Sequence, residues 1–144
     1  MALVACDRTK DFPDEPEINF KSAEVIEGWD SILAQPATFC VLTISFTDGD
    51  GDIGVVLDST SDNNLLIGYY EMRLGALDTL EQVDFSSKIP YLTPEGQNKS
   101  LKGDISLEMN INNRGSDSIQ FDVQLVDRAN HFSNLVRTPL IVVN

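Results

Sequence analysis

Alternation between apolar and polar side chains is the feature that most constrains the fold of this chain. The clearest case is residues 38–46, where Cys40, Leu42, Ile44 and Phe46 fall on one face of an extended segment. A period of two is that of a β-strand with one buried face, whereas a helix repeats about every 3.6 residues. From the same pattern we expect further strands over residues 17–23, 64–74, 81–85, 105–111, 119–125 and 135–143.

The number and spacing of these segments predict the fold class. About seven short strands separated by turn residues indicate an all-β protein, and we expect an immunoglobulin-like β-sandwich of antiparallel strands over residues 17–144. A closed barrel gives the same alternation and is the alternative. Residues 112–116, rich in Asn and Gly, predict a hairpin turn between two strands. Residues 25–34 are the one stretch in which a helical turn fits the sequence.

Composition narrows the classes of partner. The 144 residues suffice for one domain with a hydrophobic core, since 42% of them are apolar. The formal net charge is −13, from 23 acidic and 10 basic residues. That balance argues against a nucleic-acid partner, because affinity there comes mainly from Lys and Arg on phosphates. It also argues against binding an anionic membrane by charge alone, whereas it is compatible with solubility and with cation binding.

The N-terminus carries a motif that indicates where the protein resides. Residues 3–5 (Leu-Val-Ala) before Cys6 resemble a bacterial lipobox, in which the cysteine is lipidated and becomes the mature N-terminus. Residues 7–16 are acidic, contain two prolines and lack an apolar period, so we expect residues 1–16 to be a lipobox remnant and an extended tether. Only five residues precede Cys6, which predicts a start codon further upstream or a trimmed leader. No apolar run approaches the roughly 18 residues that span a bilayer.

The two cysteines, Cys6 and Cys40, are expected to have different roles. Cys40 falls on the apolar face of its strand, where a free cysteine behaves as a small hydrophobe. Residues 118–126, the strand that carries the disulfide partner in many immunoglobulin domains, contain no cysteine. We therefore expect a buried free thiol at Cys40, and a disulfide with Cys6 is the alternative in an oxidising compartment.

The strongest candidate for a binding site is an aspartate-rich turn directly after the clearest strand. Asp48, Asp50 and Asp52 alternate with glycines, which let the backbone curl so that alternate side chains converge. Ca²⁺ takes about six to eight oxygen ligands, and carboxylates supply them well. The run is not an EF-hand, because Ile53 stands at the sixth position instead of Gly and Ser59 at the twelfth instead of Glu.

A second loop can complete an oxygen site. In a two-sheet sandwich, the loop after the second strand and the loop between the last two strands lie at the same end. We therefore expect Asp127 and Asn130 to join the three aspartates, with Glu17 approaching from the first strand. The alternative is a solvated turn, since Asp and Gly favour turns for conformational reasons and Asp127 can cap its own loop. Three carboxylates this close repel in the absence of a cation, which favours bound Ca²⁺.

Several motifs occur together. Residues 46–54 read FTDGDGDIG, residues 89–96 read IPYLTPEG and residues 102–105 read KGDI. With the tyrosine-rich segment between them, they resemble a group of small Bacteroidetes lipoproteins of uncharacterised role. Residues 126–134, VDRANHFSN, resemble the D-x-x-G-N-x-S-N loop of bacterial immunoglobulin-like and cadherin-like repeats, with Ala129 in place of the glycine. The resemblance covers the chain from Cys6 onwards and implies a β-sandwich and an outer-membrane address, on the periplasmic or the cell-surface face, but no activity.

These features favour a non-enzymatic interaction or accessory module with an unidentified protein or glycan partner. The case for catalysis is weak, because the single histidine, His131, shares one short loop with Ser133 and Asp127 and nothing there resembles a nucleophile elbow. A glycan-binding lipoprotein of a polysaccharide uptake system is the alternative, since aromatic rings offer stacking faces to sugars. The candidate stacking residues are Trp29, Tyr69, Tyr70 and Tyr91.

Overall fold

A computed structural model describes residues 12–58, 60–79, 83–112 and 114–143. The strands in this part of the chain are β1 (Glu17–Asp30), β2 (Gln35–Asp48), β3 (Leu65–Arg73), β4 (Ala76–Thr79), β5 (Leu101–Asn110), β6 (Ser118–Leu125), β7 (Val136–Arg137) and β8 (Ile141–Val142). None of the described residues lies in a helix, so this part of the chain contains no helix long and apolar enough to cross a membrane. The all-β class expected from the alternation is confirmed.

The strands form two antiparallel sheets. One has the order β1-β2-β5, and the other has the order β4-β3-β6-β7, with β8 also paired to β6. Each sheet turns its apolar side chains towards the other, and a shared core fills the space between them. Because one face of each strand is buried and the other is solvated, the period of two in the sequence follows directly from this arrangement.

The first strand is twice as long as the sequence suggests. Ile18 and Phe20 pack on the core, and so do Ala23 and Val25, although the second pair has the opposite parity along the chain. The pairing of β1 with β2 shifts between Phe20 and Ser22, and a β-bulge at this point restores the inward direction after the change of parity. The bulge breaks the period of two, which is why the continuation of the strand is not visible in the sequence.

Residues 25–34, where a helical turn fits the sequence, form the end of a strand and a tight turn. Residues 25–30 continue β1, and residues 31–34 form the tight turn that leads into β2. Asp30 Oδ1 accepts the N–H groups of Ile32 (2.9 Å) and Leu33 (3.0 Å), and Ala34 takes a left-handed φ of 52° to close the turn. The Asp30 side chain thus satisfies two backbone donors of the turn.

The expected hairpin around residues 112–116 is wrong. β5 pairs with β2, whereas β6 pairs with β3, so this segment crosses from one sheet to the other. Its first end is tied to β2, because the Ile111 N–H donates to the Thr38 carbonyl (2.9 Å). Its second end is tied to β3, because the Gly115 N–H donates to the Glu71 carboxylate (3.0 Å). Alternation shows which face of a strand is buried but not which strand lies beside it.

Two further boundaries differ from expectation. Residues 81 and 82 of the edge strand expected over residues 81–85 lie outside the described residues, Val83 and Phe85 pack against the core without strand pairing, and β4 lies earlier in the chain. The strand expected over residues 135–143 is two short strands, β7 and β8. Pro139 lies in the gap between them, where it has no N–H to donate to a ladder.

Cys40 lies in the middle of the core. It is fully buried with a free thiol, as expected from its place in the alternating series. Burial raises the pKa of this thiol to about 11, so it stays protonated and unreactive at neutral pH. In the same core, Tyr69, Phe85 and Phe121 form an aromatic group with ring centroids 5.4–6.1 Å apart. Edge-on and tilted contacts of this kind add to the area that the rings bury.

Candidate metal centre

Two loops come into contact at the end of the molecule where β2 finishes. β2 ends at Asp48, and the loop after it lies beside residues 126–131, which follow β6. The Arg128 amide donates to the Asp52 carbonyl (3.1 Å), and the Ala129 amide donates to Asp52 Oδ2 (3.2 Å). The aspartate-rich turn and the connection between β6 and β7 therefore meet, as the topology of a two-sheet sandwich predicts.

Four aspartates converge where these loops meet. One carboxylate oxygen from each of Asp48, Asp50, Asp52 and Asp127 lies within 4.8 Å of the others. Asp48 is fully buried, and Asp127 is only 5% exposed. Oxygens from four side chains at this spacing can surround a single cation, so the cluster is able to hold a metal ion.

The aspartates of the turn accept few hydrogen bonds from the rest of the protein. Asp48 Oδ2 accepts the Asp52 N–H (2.9 Å), and Asp52 Oδ2 accepts the Ala129 N–H. The Oδ1 atoms of Asp48, Asp50 and Asp52 are buried and accept no hydrogen bond from any described residue. A buried carboxylate oxygen without a partner costs about 1–3 kcal/mol or more, so a group that binds these three oxygens would stabilise the cluster.

Asp127 is held differently. Its Oδ1 accepts the His131 N–H (2.8 Å), and its Oδ2 lies 2.9 Å from His131 Nδ1. The bond to Asp127 and its charge raise the pKa of His131 above the usual value. His131 therefore orients Asp127 towards the cluster, in the manner of a residue that supports a metal ligand from behind.

Two carboxyl groups of the cluster have raised pKa values. Burial raises the pKa of Asp48 to about 7, helped by the charges of Asp50, Asp52 and Asp127 and opposed by the bond from the Asp52 amide. Burial also raises the pKa of Asp52 to about 6, together with the neighbouring Asp50 carboxyl and the charge of Asp127, while Arg128 acts in the opposite direction. Full ionisation of the cluster is therefore unfavourable, and a bound proton or cation would lower its energy near neutral pH.

Two glycines make the turn sterically feasible. Gly51 and Gly54 have φ values of 67° and 87°, in the left-handed region that favours glycine. A Cβ on Gly51 would lie 1.9 Å from the Lys99 carbonyl oxygen, and one on Gly54 would lie 1.8 Å from the Pro90 carbonyl oxygen. Gly51, between two aspartates, and Gly54, just after the third, thus allow both the curl of the turn and its close contact with the segment before β5.

Arg128 fixes the surroundings of the cluster without entering it. Its guanidinium donates to the carbonyls of Ile53 and Gly54, each at 2.9 Å, and to the hydroxyl of Thr93. The same group lies 3.9 Å from the centre of the Tyr91 ring. Because these bonds join the turn to the segment before β5, the positions of Asp50 and Asp52 depend on residues far away in sequence.

Two other residues were expected near the aspartates, Glu17 and Asn130. Glu17 lies outside the acidic cluster, and a ligand role for Asn130 stays a prediction. Glu17 is exposed on β1 opposite Thr47 and is not part of the cluster. Asn130 is exposed in the same loop as Asp127, with a left-handed φ of 65°, and its N–H donates to the Asp127 carbonyl (3.2 Å). Asn130 thus shapes the loop by its backbone, and its role as a ligand stays a prediction.

The four aromatic candidates for glycan stacking are dispersed. Tyr69 is 4% exposed among core aromatics, so it is out of reach of a ligand. The Tyr70 hydroxyl donates to Asp122 (2.9 Å), and Arg128 lies over the Tyr91 ring. Trp29 is 62% exposed near the turn between β1 and β2, at the opposite end of β2 from Asp48. No two of these four rings form an exposed coplanar pair.

Two residues that contact the acidic cluster or its loops were not expected there from the sequence. Arg128 and the pairing of His131 with Asp127 were not anticipated as parts of the site, although both residues share the loop of Asp127. The adjacency of a cation and a histidine to Asp127 was the available signal. The predicted lipidation site Cys6 and most of the predicted tether lie outside the described residues.

Comparison of the chain with protein-family models, with curated proteins and with solved structures found no match.

Proposed function

We propose that this chain is a non-enzymatic, extracytoplasmic interaction module that binds Ca²⁺ at the cluster of Asp48, Asp50, Asp52 and Asp127. The observation that carries the proposal is the set of three buried Oδ1 atoms without hydrogen-bond partners. A cation among them would satisfy all three oxygens and oppose the burial and the neighbouring charges that raise the pKa of Asp48 and Asp52. The ion would act as a structural support that joins two loops.

The donor set favours Ca²⁺ over other common cations. All four side chains offer carboxylate oxygens, which are hard ligands, and the cluster contains no thiolate or imidazole ligand among the described residues. Zn²⁺ prefers nitrogen and sulfur, and Mg²⁺ demands near-ideal octahedral geometry with several waters. A site built on a flexible glycine-rich turn with many carboxylates is the kind that Ca²⁺ tolerates.

The arrangement of the strands supports an immunoglobulin-like sandwich. The first, second and fifth strands form one sheet, and the third and sixth strands lie at the centre of the other. This order matches the division of strands A, B and E from strands C and F in immunoglobulin folds. In that fold the loops at one end often carry binding residues, which agrees with the place of the aspartate cluster.

The proposed address is the outer membrane, with the domain attached through lipid on Cys6. The lipobox-like residues 3–6 and the acidic, proline-containing residues 7–16 support this address, since a tether of that composition stays extended. The environment outside the cytoplasm is also one in which millimolar Ca²⁺ can fill a site of modest affinity.

Binding of a glycan is a second candidate function, favoured by the exposure of Trp29 at 62%. Pro36 lies opposite Trp29 in the hairpin of β1 and β2, so a sugar ring has one aromatic face and one rigid neighbour. A glycan array probed with the wild-type protein and with Trp29→Ala tests this function. Binding that Trp29→Ala abolishes supports it, and the absence of any bound glycan removes it.

A thermal unfolding titration tests the proposed cation site. At a Ca²⁺ concentration about one hundred times the dissociation constant, we expect a stabilisation of about 2.7 kcal/mol, or roughly 5–10 °C in Tm. Asp50→Asn should abolish that shift, whereas the matched loss of one charge in Glu108→Gln, exposed on β5, should leave it intact. A wild-type Tm that does not move at millimolar Ca²⁺ would contradict the proposal.

A further inference from the structure

We propose that the cation clamps the N-terminal segment of residues 12–16 onto the aspartate-rich turn, so that Ca²⁺ fixes the direction in which the chain enters the domain. This inference rests on the proposed cation site. It adds a partner to that site, because the bound segment belongs to the part of the chain that precedes β1.

The segment is in direct contact with the turn. The Gly49 N–H, between the ligand residues Asp48 and Asp50, donates to the Pro13 carbonyl at 2.7 Å. A Cβ on Gly49 would lie 2.1 Å from the Phe12 carbonyl oxygen and 2.7 Å from that of Pro13, so the two backbones meet with no room for a side chain. The contact involves the same short stretch of backbone whose side chains would hold the ion.

Both the segment of residues 12–16 and the aspartate-rich turn carry negative charge, which disfavours this contact. The segment carries Asp14 and Glu15, both exposed, and it lies against a cluster of four aspartates in a chain of net charge −13. Like charges on the segment and on the turn disfavour the contact, and a divalent cation in the cluster lowers the negative charge that the segment meets.

The geometry of the turn provides a second link between the ion and the segment. Gly49 lies between two of the proposed ligands, so its N–H is positioned by the same short stretch of backbone that carries Asp48 and Asp50. Ligation draws the carboxylates together and holds the Gly49 N–H in the position that the Pro13 carbonyl requires. Binding of the ion and docking of the segment therefore favour each other, and the coupling must be reciprocal.

Amide hydrogen exchange of Gly49 in the wild-type protein, followed by NMR, measures the docking directly. We expect CaCl₂ to slow this exchange at least about tenfold relative to NaCl of equal ionic strength, because the donated bond to Pro13 becomes persistent. The Ile111 amide, bonded to Thr38 at the other end of β2, serves as the control and should change far less. Unchanged Gly49 exchange in protein that calorimetry shows to bind Ca²⁺ overturns the clamp and leaves the cation site standing.

A variant tests the reverse direction of the coupling. Gly49→Ala displaces the segment through its Cβ while keeping every carboxylate, and Gly68→Ala is the matched control, because its Cβ would meet only ordinary contacts of 3.4 Å or more. We expect Gly49→Ala to weaken Ca²⁺ binding by a factor of about five or more in calorimetry, within the range usual for coupled sites. Equal affinities in the two variants contradict the clamp. Absence of Ca²⁺ binding by the wild-type protein overturns both the clamp and the cation site.

Discussion

Asp48 at the end of β2 and Glu71 in β3 are both fully buried, but at opposite ends of the molecule and in different surroundings. The Glu71 carboxylate accepts bonds from the Tyr69 hydroxyl (3.0 Å), the Gly115 N–H (3.0 Å) and the Arg73 guanidinium (2.9 Å). Although burial opposes them, these bonds hold the pKa of Glu71 below its usual value. Asp48 has one such bond, and its pKa is raised to about 7.

The comparison distinguishes a buried carboxylate whose hydrogen bonds come from the protein from one that lacks enough donors. Around Glu71 the protein supplies a hydroxyl, a backbone donor and a cation, so the charge is solvated internally. Around Asp48 the protein supplies three more carboxylates and leaves three oxygens without partners. Equal burial therefore has opposite meanings, and the hydrogen bonds that each oxygen receives decide between them.

The largest expected change in stability comes from replacing Glu71, the carboxylate whose hydrogen bonds come from the protein. Glu71→Ala leaves the Tyr69 hydroxyl and the Gly115 N–H without their acceptor, so we expect the free energy of unfolding to fall by about 3 kcal/mol. Urea denaturation measures it, and the loss should be the same with and without Ca²⁺. A loss below about 1 kcal/mol would show that the network around Glu71 contributes little.

The unsatisfied carboxylate should respond in the opposite direction. Asp48→Asn removes a buried charge from a cluster of four, so we expect the Ca²⁺-free protein to become more stable by about 1–2 kcal/mol. The same variant should lose its stabilisation by Ca²⁺. Urea denaturation in EDTA and in CaCl₂ separates the two effects, and destabilisation in EDTA would contradict the comparison.

The dependence of stability on pH sharpens the contrast. The raised pKa values of Asp48 and Asp52, about 7 and about 6, mean that the folded state holds protons that the unfolded state has released above about pH 4. The stability of the Ca²⁺-free protein should therefore fall as pH rises from about 4 to 7. Because Ca²⁺ competes with these protons, its effect on Tm should be larger at pH 8 than at pH 5. A Tm in EDTA that does not change over this range would exclude the raised pKa values.

The smallest expected effect concerns the residue behind the ligands. His131→Ala removes the imidazole that lies against Asp127 Oδ2, so we expect Ca²⁺ affinity to fall about tenfold while the fold is retained. Calorimetric titration measures the affinity. Phe132→Ala, in the same loop with a side chain 56% exposed, is the control and should keep wild-type affinity.

Local patterns in the sequence predicted the parts of this structure that depend on local chemistry. Alternation identified the buried face of β2 and the burial of Cys40, and spacing identified the aspartate turn. The bulge that reverses parity in β1 and the crossing between β5 and β6 were not predictable, because a period of two carries no information on strand partners. The contacts of Arg128 were likewise hidden, since they join residues 35 or more positions apart.

Diffraction from crystals grown with CaCl₂, recorded at a wavelength where calcium scatters anomalously, tests the central claim most directly. We predict an anomalous peak at about 2.3–2.6 Å from the Oδ1 atoms of Asp48, Asp50 and Asp52. A map with no peak there, in which water or a lysine from the same chain satisfies those three oxygens, would contradict the claim that the cluster exists to bind a cation.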